Sequence, residues 1–456
     1  MTGKQVVIIG GGNAGLSAAY QLQKAGIPYV LLEATERCGG RVRFRQSGDI
    51  IYNDGAAFTE PQWETTFEYL HEFGFDDRIF EPPVKVYGLY LNGETKYFKD
   101  SGNLFKSLLQ LKGLPLNLIT QGAKFMPNLL KAMSGVGEGH DFSRLGEVSR
   151  QTTREWVTQK GGPEIADKLL GPMLGTMTLA RSCDVSAAHP IALMKLMKGM
   201  YGIIGGLKII NEHIYDVIKD NVRLNSPVEE VLIEDDKIVG VKLADGETIN
   251  TDCVVCCTDA VDALNILSCL PQNMRDALAT CTYCKTWHYV FYVPEKLFPD
   301  GFLAELIPES EDSLITTIFA VPLTEMDKVP DSTATHDFSG KATVVHTFTA
   351  GWHDDKLMPL TDEERHVAIA KEIGKFVPGF EEKAEVVACN RFERAINLEP
   401  PGQFEAIEDL KKNHLNDVKG LYLGGEYMFL IACTEGAWMT GKQAAEKLIA
   451  DRGIKG

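Results

Sequence analysis

The chain has 456 residues, with 46 Lys and Arg against 63 Asp and Glu, and a net charge of −17. That length exceeds one small core and points to two domains, and the acidic balance argues against nucleic acid as a partner. No apolar run reaches the roughly 20 residues of a membrane span, and ten cysteines in a chain of this size read as reduced, cytosolic thiols rather than a disulfide framework.

The chain enters a strand almost at once, so no leader peptide is expected. Val6 to Ile9 is a short apolar run, as for a strand buried on both faces. Gly10, Gly12 and Gly15 follow with dinucleotide-fingerprint spacing. The first permits the tight turn, the second admits a pyrophosphate close to the backbone, and the third lets the helix pack on the sheet. The helix from about Ala14 to Lys24, with Asn13 just before it, presents its N-terminal amides to phosphate. Tyr29 to Leu32 is the second strand, with Glu33 at its end. A carboxylate there accepts ribose hydroxyls and repels a 2′-phosphate, which favours FAD or NAD over NADP.

Val86 to Lys99 reads as a hairpin around Asn92-Gly93. Residues 101 to about 220 read as helical, broken at Pro115, Pro127, Gly161-Gly162-Pro163, Pro172 and Pro190. Between Asp100 and Glu138 there is no acid, only Lys106, Lys112, Lys124 and Lys131 among many Leu, Phe and Met. Two readings stay open for 101–137: helices that cover a substrate cavity with solvated lysines, or an interfacial helix resting on anionic lipid at the inner face of a membrane. Met173, Met177, Met194, Met197 and Met200 suit either an adaptable wall for a bulky apolar ligand or plain helical core.

Val222 to Asp252 holds two or three strands, and Cys253 to Thr258 a further buried one. Cys253, Cys256 and Cys257 read as core. Thr286 to Val293, Leu314 to Val321, Thr343 to Thr349 and Ala384 to Arg391 are rich in β-branched and aromatic residues and suggest a largely antiparallel sheet, with a helix over Thr361 to Phe376 between them. Cys281-x-x-Cys284 lacks a second pair, so no metal site is expected. A second dinucleotide fingerprint is missing, so electrons are not expected to come from NAD(P)H through a domain of this chain.

Arg37-x-Gly39-Gly40-Arg41, Asp54-Gly55-Ala56, Pro227-Val228 and Leu423-Gly424-Gly425-Glu426 with Glu435-Gly436-Ala437 stand in this order along nearly the whole chain. Together they resemble the flavin amine oxidase superfamily, closest in pattern to its phytoene desaturase and protoporphyrinogen oxidase members. The resemblance implies an α/β fold: a discontinuous, Rossmann-like FAD-binding domain on a parallel sheet (1–85, 206–270 and 411–456). Interleaved with it would be an α+β substrate domain on an antiparallel sheet with helices (86–205 and 271–410). It also implies that Arg37, Gly39, Gly40, Arg41, Gly55, Ala56, Val228, Gly425, Glu426, Glu435, Gly436 and Ala437 join the fingerprint residues in holding FAD. Arg41 would supply a fixed positive fork for pyrophosphate. Glu426 would accept a ribityl hydroxyl.

Amine oxidases of the superfamily place an aromatic residue two positions before Glu-Gly-Ala; this chain has Cys433. They place a lysine near the flavin on the strand matching Thr286 to Val293, where His288 falls here, with Lys285 nearby. His288 and Lys285 are therefore the candidate catalytic residues, His288 as a proton acceptor or as an ordinary strand histidine. The expected activity is hydride abstraction from an apolar or amphipathic small molecule. Dioxygen, a quinone or a carrier would accept the electrons. An amine or amino-acid oxidase, and a flavin-dependent isomerase, are the alternatives.

Overall fold

The protein is described by a computed structural model covering residues 5–56, 58–81, 85–101, 106–107, 110–137, 141–196, 199–330, 332–333 and 336–453. Five short strands form a parallel sheet in the order Leu421–Leu423, Val254–Cys256, Val6–Ile9, Tyr29–Leu32, Val222–Arg223. They come from three distant stretches, as the glycine motifs at both ends of the chain imply. Val6 and Ile8 join one apolar cluster, Val7 and Ile9 the other. The strand alternates between two cores, so every residue in it is apolar. Helices Asn13–Lys24 and Thr434–Asp451 cross tightly on one face: a Cβ on Gly441 would lie 2.0 Å from the Ala14 carbonyl oxygen.

Of the strands expected between 222 and 252, Val222–Arg223 joins the parallel sheet. Val228–Glu234, Lys237–Leu243 and Thr248–Asn250 build a separate antiparallel sheet. Gly205 and Gly206, with φ of +87° and +73°, precede helix Lys208–Ile218, which packs in the same apolar cluster as Val6 and Ile8. A Cβ on Gly206 would also strike the Phe44 ring.

A second, seven-stranded sheet has the order Glu385–Phe392, Thr286–Val293, Ser339–Thr349, Ile315–Thr324, Phe302–Leu306, Val86–Leu91, Glu94–Lys99. It is antiparallel throughout except where Phe302–Leu306 meets Val86–Leu91 in parallel. Phe302–Leu306 escaped the sequence reading because five residues carrying a buried Glu305 show neither alternation nor a long apolar run. One face of this sheet packs on helix Asp362–Phe376, where Tyr289, Phe291 and Val293 meet Ile369, Ile373 and Phe376. Each fully buried side chain there contributes about 1.5–3 kcal/mol. That helix begins as its sequence suggests, with Thr361 and Glu364 forming a reciprocal cap. The opposite face of the sheet looks into a cavity.

Helices Leu116–Met133, Thr153–Lys160, Gly171–Thr178 and Ala188–Leu196 follow, with Phe125, Trp156 and Ile191 in a common core. Of the methionines read as a cluster, Met197 lies outside the described residues, as do Leu104, Phe105, Leu108 and Leu109 of the acid-free stretch. Among the described residues, no helix is long and apolar enough to cross a membrane.

Candidate active site

A continuous cavity of about 1330 Å³ runs from the ends of the parallel strands to the open face of the seven-stranded sheet. At the first end it is built from backbone. Gly10 has φ +98°, and a Cβ on Gly15 would lie 1.8 Å from the Gly10 carbonyl oxygen, so the strand-to-helix turn closes only with glycine. Gly12 starts helix Asn13–Lys24 with no side chain capping it. Gly10, Gly12, Asn13 and Ala14 all face the cavity, and uncapped first-turn amides there suit an anionic group.

Glu33 lines the same end. Its Oε2 accepts the Gly11 N–H at 2.7 Å, and its Oε1 accepts the Thr35 N–H at 2.9 Å, which fixes the carboxylate where a ribose would meet it. Pro227 and Val228 close the wall nearby. Gly40 and Arg41 line the cavity. So do Gly55 and Ala56, and a Cβ on Gly55 would lie 1.9 Å from the Arg41 carbonyl oxygen. From the far end of the chain Gly425, Glu426 and Ala437 complete it.

Arg41 and Glu426, read separately from the sequence, are partners: Arg41 Nη2 lies 2.7 Å from Glu426 Oε2. Burial opposes the Arg41 charge, but Glu426 outweighs it and raises the guanidinium above its ordinary value. Glu426 Oε1 also accepts the Tyr283 hydroxyl at 2.9 Å. Tyr283 was not singled out from the sequence; a lone tyrosine between two cysteines carries no pattern.

Six of the residues proposed from sequence lie off the cavity wall. Gly15 and Gly39 act through the backbone, Gly39 with φ +109°. Arg37 donates to the carbonyls of Cys38 at 2.9 Å and Gly40 at 2.7 Å, so it shapes the loop. Glu435 turns away from the cavity: its carboxylate accepts the N–H groups of Thr65 at 2.8 Å and Thr66 at 2.9 Å, and the Thr66 hydroxyl at 2.7 Å. A buried carboxylate needs such donors, and the first turn of helix Glu64–Glu72 provides them. Gly436 gives Phe429 room, since a Cβ on it would meet that ring at 2.7 Å. Lys285 is exposed and lies 3.9 Å from Glu393. It stands just before strand Thr286–Val293 and does not line the cavity.

His288 does face the cavity. It is fully buried, with Nδ1 3.0 Å from Asp54 Oδ1 and Nε2 2.9 Å from His346 Nδ1. Asp54 in turn accepts Arg43 Nε at 2.7 Å and Arg45 Nε at 2.5 Å. Burial would raise the Asp54 carboxyl, but His288 and the two arginines outweigh it and hold it below its usual range. Burial pushes the His288 imidazole below its ordinary value, against the pull of Asp54. Burial, then the neighbouring His288, take His346 down to about 3. Phe348 stacks on His288 at 4.5 Å, and Phe319, Val321 and Val344 continue this wall.

Across the cavity Met177, Leu179, Leu193, Leu196, Met200, Phe429 and Ile431 form an apolar wall. Thr176, Thr178 and His189 are the polar residues among them. His189 is buried with Nδ1 2.5 Å from Glu399 Oε2, and its Nε2 has no hydrogen-bond partner. Cys433 also lines the cavity, at the start of the last helix. Cys281 and Cys284 are buried free thiols, and burial raises Cys284 to about 11. Among the described residues, no three His, Cys, Asp or Glu gather as metal ligands.

The donors at the glycine end fit a dinucleotide, and the remaining space fits a flavin ring and a substrate. Residues 13–449 match the family described as flavin containing amine oxidoreductase; the chain belongs to it, and FAD is its cofactor. L-amino acid oxidase from Bothrops pictus is 26% identical over 291 residues, which are 61% of this chain and 58% of that protein. L-amino acid oxidase Cdc18 from Crotalus durissus cumanensis is 26% identical over 290 residues, again 61% of this chain and 58% of its own length. The chain thus spans well under two thirds of these relatives. Among solved structures, a triple mutant of putrescine oxidase superposes with a TM-score of 0.74 at 16% identity, over 98% of this chain and 99% of that one. Cyclohexylamine oxidase from Brevibacterium oxydans IH-35A gives 0.73 at 17%, over 99% and 100%. A candidate protoporphyrinogen oxidase from Exiguobacterium sp. 255-15 gives 0.73 at 17%, over 98% and 99%. At such identities the likeness is one of fold.

Proposed function

We propose that this protein is an FAD-dependent oxidoreductase that dehydrogenates an apolar or amphipathic small molecule, in the manner of a desaturase or porphyrinogen oxidase. The carrying observation is a largely apolar stretch of the cavity wall, formed by Met177, Leu179, Leu193, Leu196, Met200, Phe429 and Ile431, whose polar members are the hydroxyls of Thr176 and Thr178 and the His189 ring, backed by Glu399. Such a surface takes a bulky apolar body and one hydrogen-bonding group. FAD supplies the two-electron, hydride-accepting chemistry. The chain orients the substrate, excludes water and manages its proton through the His288 side of the cavity.

The amino-acid alternative needs a cation for a carboxylate. Each of the four arginines on the wall is already paired: Arg41 with Glu426, Arg43 with Asp54, Arg391 with Asp354, Arg394 with Asp259. Cys433, where amine oxidases of the superfamily carry an aromatic, weakens the case for an amine cage. Anaerobic addition of polyenes, porphyrinogens, steroids, amines and L-amino acids to the purified protein tests the reading. Bleaching of the flavin by one of the first three is expected, and bleaching by amines or amino acids alone contradicts it. Readmitting dioxygen, or adding a quinone or a protein carrier, then identifies the acceptor.

We also propose that helix Leu116–Met133 rests on an anionic membrane surface. Leu116, Ile119 and Leu130 are 76%, 52% and 58% exposed and follow one stripe, with Lys124 and Lys131 exposed on the same helix. Co-flotation with anionic vesicles at low salt and its loss at high salt are expected. No flotation at low salt contradicts the proposal.

A further inference from the structure

We propose that His346 is the group that takes the substrate's proton, and that Asp54 and His288 are positioning residues behind it that set its tautomer and receive the charge. The proposal rests on the dehydrogenase reading above for its substrate, but its geometry stands without it. Hydrogen-bond bookkeeping along the chain gives the direction. Asp54 is held ionised by Arg43 and Arg45, so it only accepts. His288 must therefore donate from Nδ1. In a neutral imidazole its Nε2 is then an acceptor, and His346 must donate from Nδ1. What His346 keeps is an unprotonated Nε2, on a ring that lines the cavity and has no other hydrogen-bond partner among the described residues.

The proton's route follows. A substrate X–H or C–H bond breaks and a His346 Nε2–H bond forms. The His346 Nδ1 proton moves to His288 Nε2. The positive charge settles on His288 against the Asp54 carboxylate, 3.0 Å away. Bound FAD would accept the hydride from the neighbouring substrate carbon, so two electrons and two hydrogens are accounted for.

Strand pairing positions the relay. His288 lies opposite Phe348, and His346 opposite Val290 on one side and Phe319 on the other. The imidazoles stack at 5.2 Å and 12° between aromatic neighbours. The charged and titratable groups facing the relay are Asp54, Arg43, Arg45 and the Tyr52 phenol, whose ring centroid is 6.5 Å from His288. From strand Glu385–Phe392 the neighbour is the neutral Asn390, which donates to the Tyr52 hydroxyl at 3.1 Å. Burial raises the Tyr52 phenol, so it stays neutral.

The test uses holoenzyme labelled with 15N-histidine, and FAD content is measured for every variant. Long-range 1H–15N spectra near neutral pH should show His288 and His346 both as the Nδ1–H tautomer, the minority form of free imidazole. Asp54→Asn, or His288→Phe should Asp54→Asn fail to fold, should switch His346 to Nε2–H. A His346 already in the Nε2–H form in the unsubstituted protein overturns the proposal. In the second arm, His346→Phe keeps the stack and removes the base. Flavin bleaching by whichever substrate of the panel reduces the unsubstituted protein should slow roughly 10²–10⁴-fold. Unslowed bleaching overturns the relay. If no panel member bleaches the unsubstituted protein, the substrate reading fails while the tautomer arm still decides the relay.

Discussion

The two ends of the cavity are built by different means. The nucleotide end is made of backbone: glycines at close quarters, an uncapped helix start, a carboxylate pinned by amides. The substrate end is made of side chains that strands bring together from far apart. Asp54 and His288 are 234 residues apart, and His288 and His346 are 58 apart. Backbone constraint admits few residue types, so it writes a dense local pattern. Side-chain constellations depend on sheet order and register, which no short segment carries.

The sharpest way to break this contrast is at Gly15. A methyl group there would meet the Gly10 carbonyl at 1.8 Å, so Gly15→Ala should weaken FAD binding at least tenfold, about 1.4 kcal/mol or more, by titration of apo-protein. Unchanged affinity would mean that the turn does not constrain the cofactor. Glu435→Gln tests the opposite assignment, that a motif residue supports the fold rather than FAD. Loss of a charged acceptor for three donors should cost about 2 kcal/mol of stability in denaturant, with one FAD per chain retained. Cofactor loss without destabilisation would return Glu435 to the cofactor site.

At the substrate end, Lys285→Ala should leave flavin bleaching unchanged, because this side chain is exposed and does not line the cavity. A slowed reduction would mean that the strand register places it inside. The smallest effect concerns Glu305, raised by burial to about 8. Its folded pKa lies above the unfolded value, so its contribution is present below about pH 4.5 and is lost as pH rises through about 8. Glu305→Gln, which keeps an acceptor for the Thr95 hydroxyl, should therefore raise the melting temperature at pH 9 and leave it nearly unchanged at pH 5. An equal shift at both would contradict a protonated Glu305.

The same contrast explains what the sequence made legible. Gly10, Gly12 and Glu33 were read from what strand, turn and helix demand locally, and Gly55 and Gly425 through the family resemblance. His288 was found through a resemblance and its place on the strand. Asp54 entered only as a neighbour of Gly55, and His346, a lone histidine among valines and threonines, gave no signal. Glu399 was equally silent, since its use depends on His189 packing across from it. Lys285 is near His288 in sequence, but it precedes strand Thr286–Val293 and is exposed beside Glu393. The Glu435 carboxylate accepts from a helix N-terminus 370 residues away, a partner that no local pattern reveals.

The central claim is that one cavity holds the whole dinucleotide at the glycine end. It is tested most directly by titrating FAD into apo-protein and following the flavin absorbance and the bound fraction. The account predicts saturable binding at one FAD per chain, abolished or strongly weakened in Gly15→Ala. A folded protein that stays colourless and takes up no FAD would contradict it.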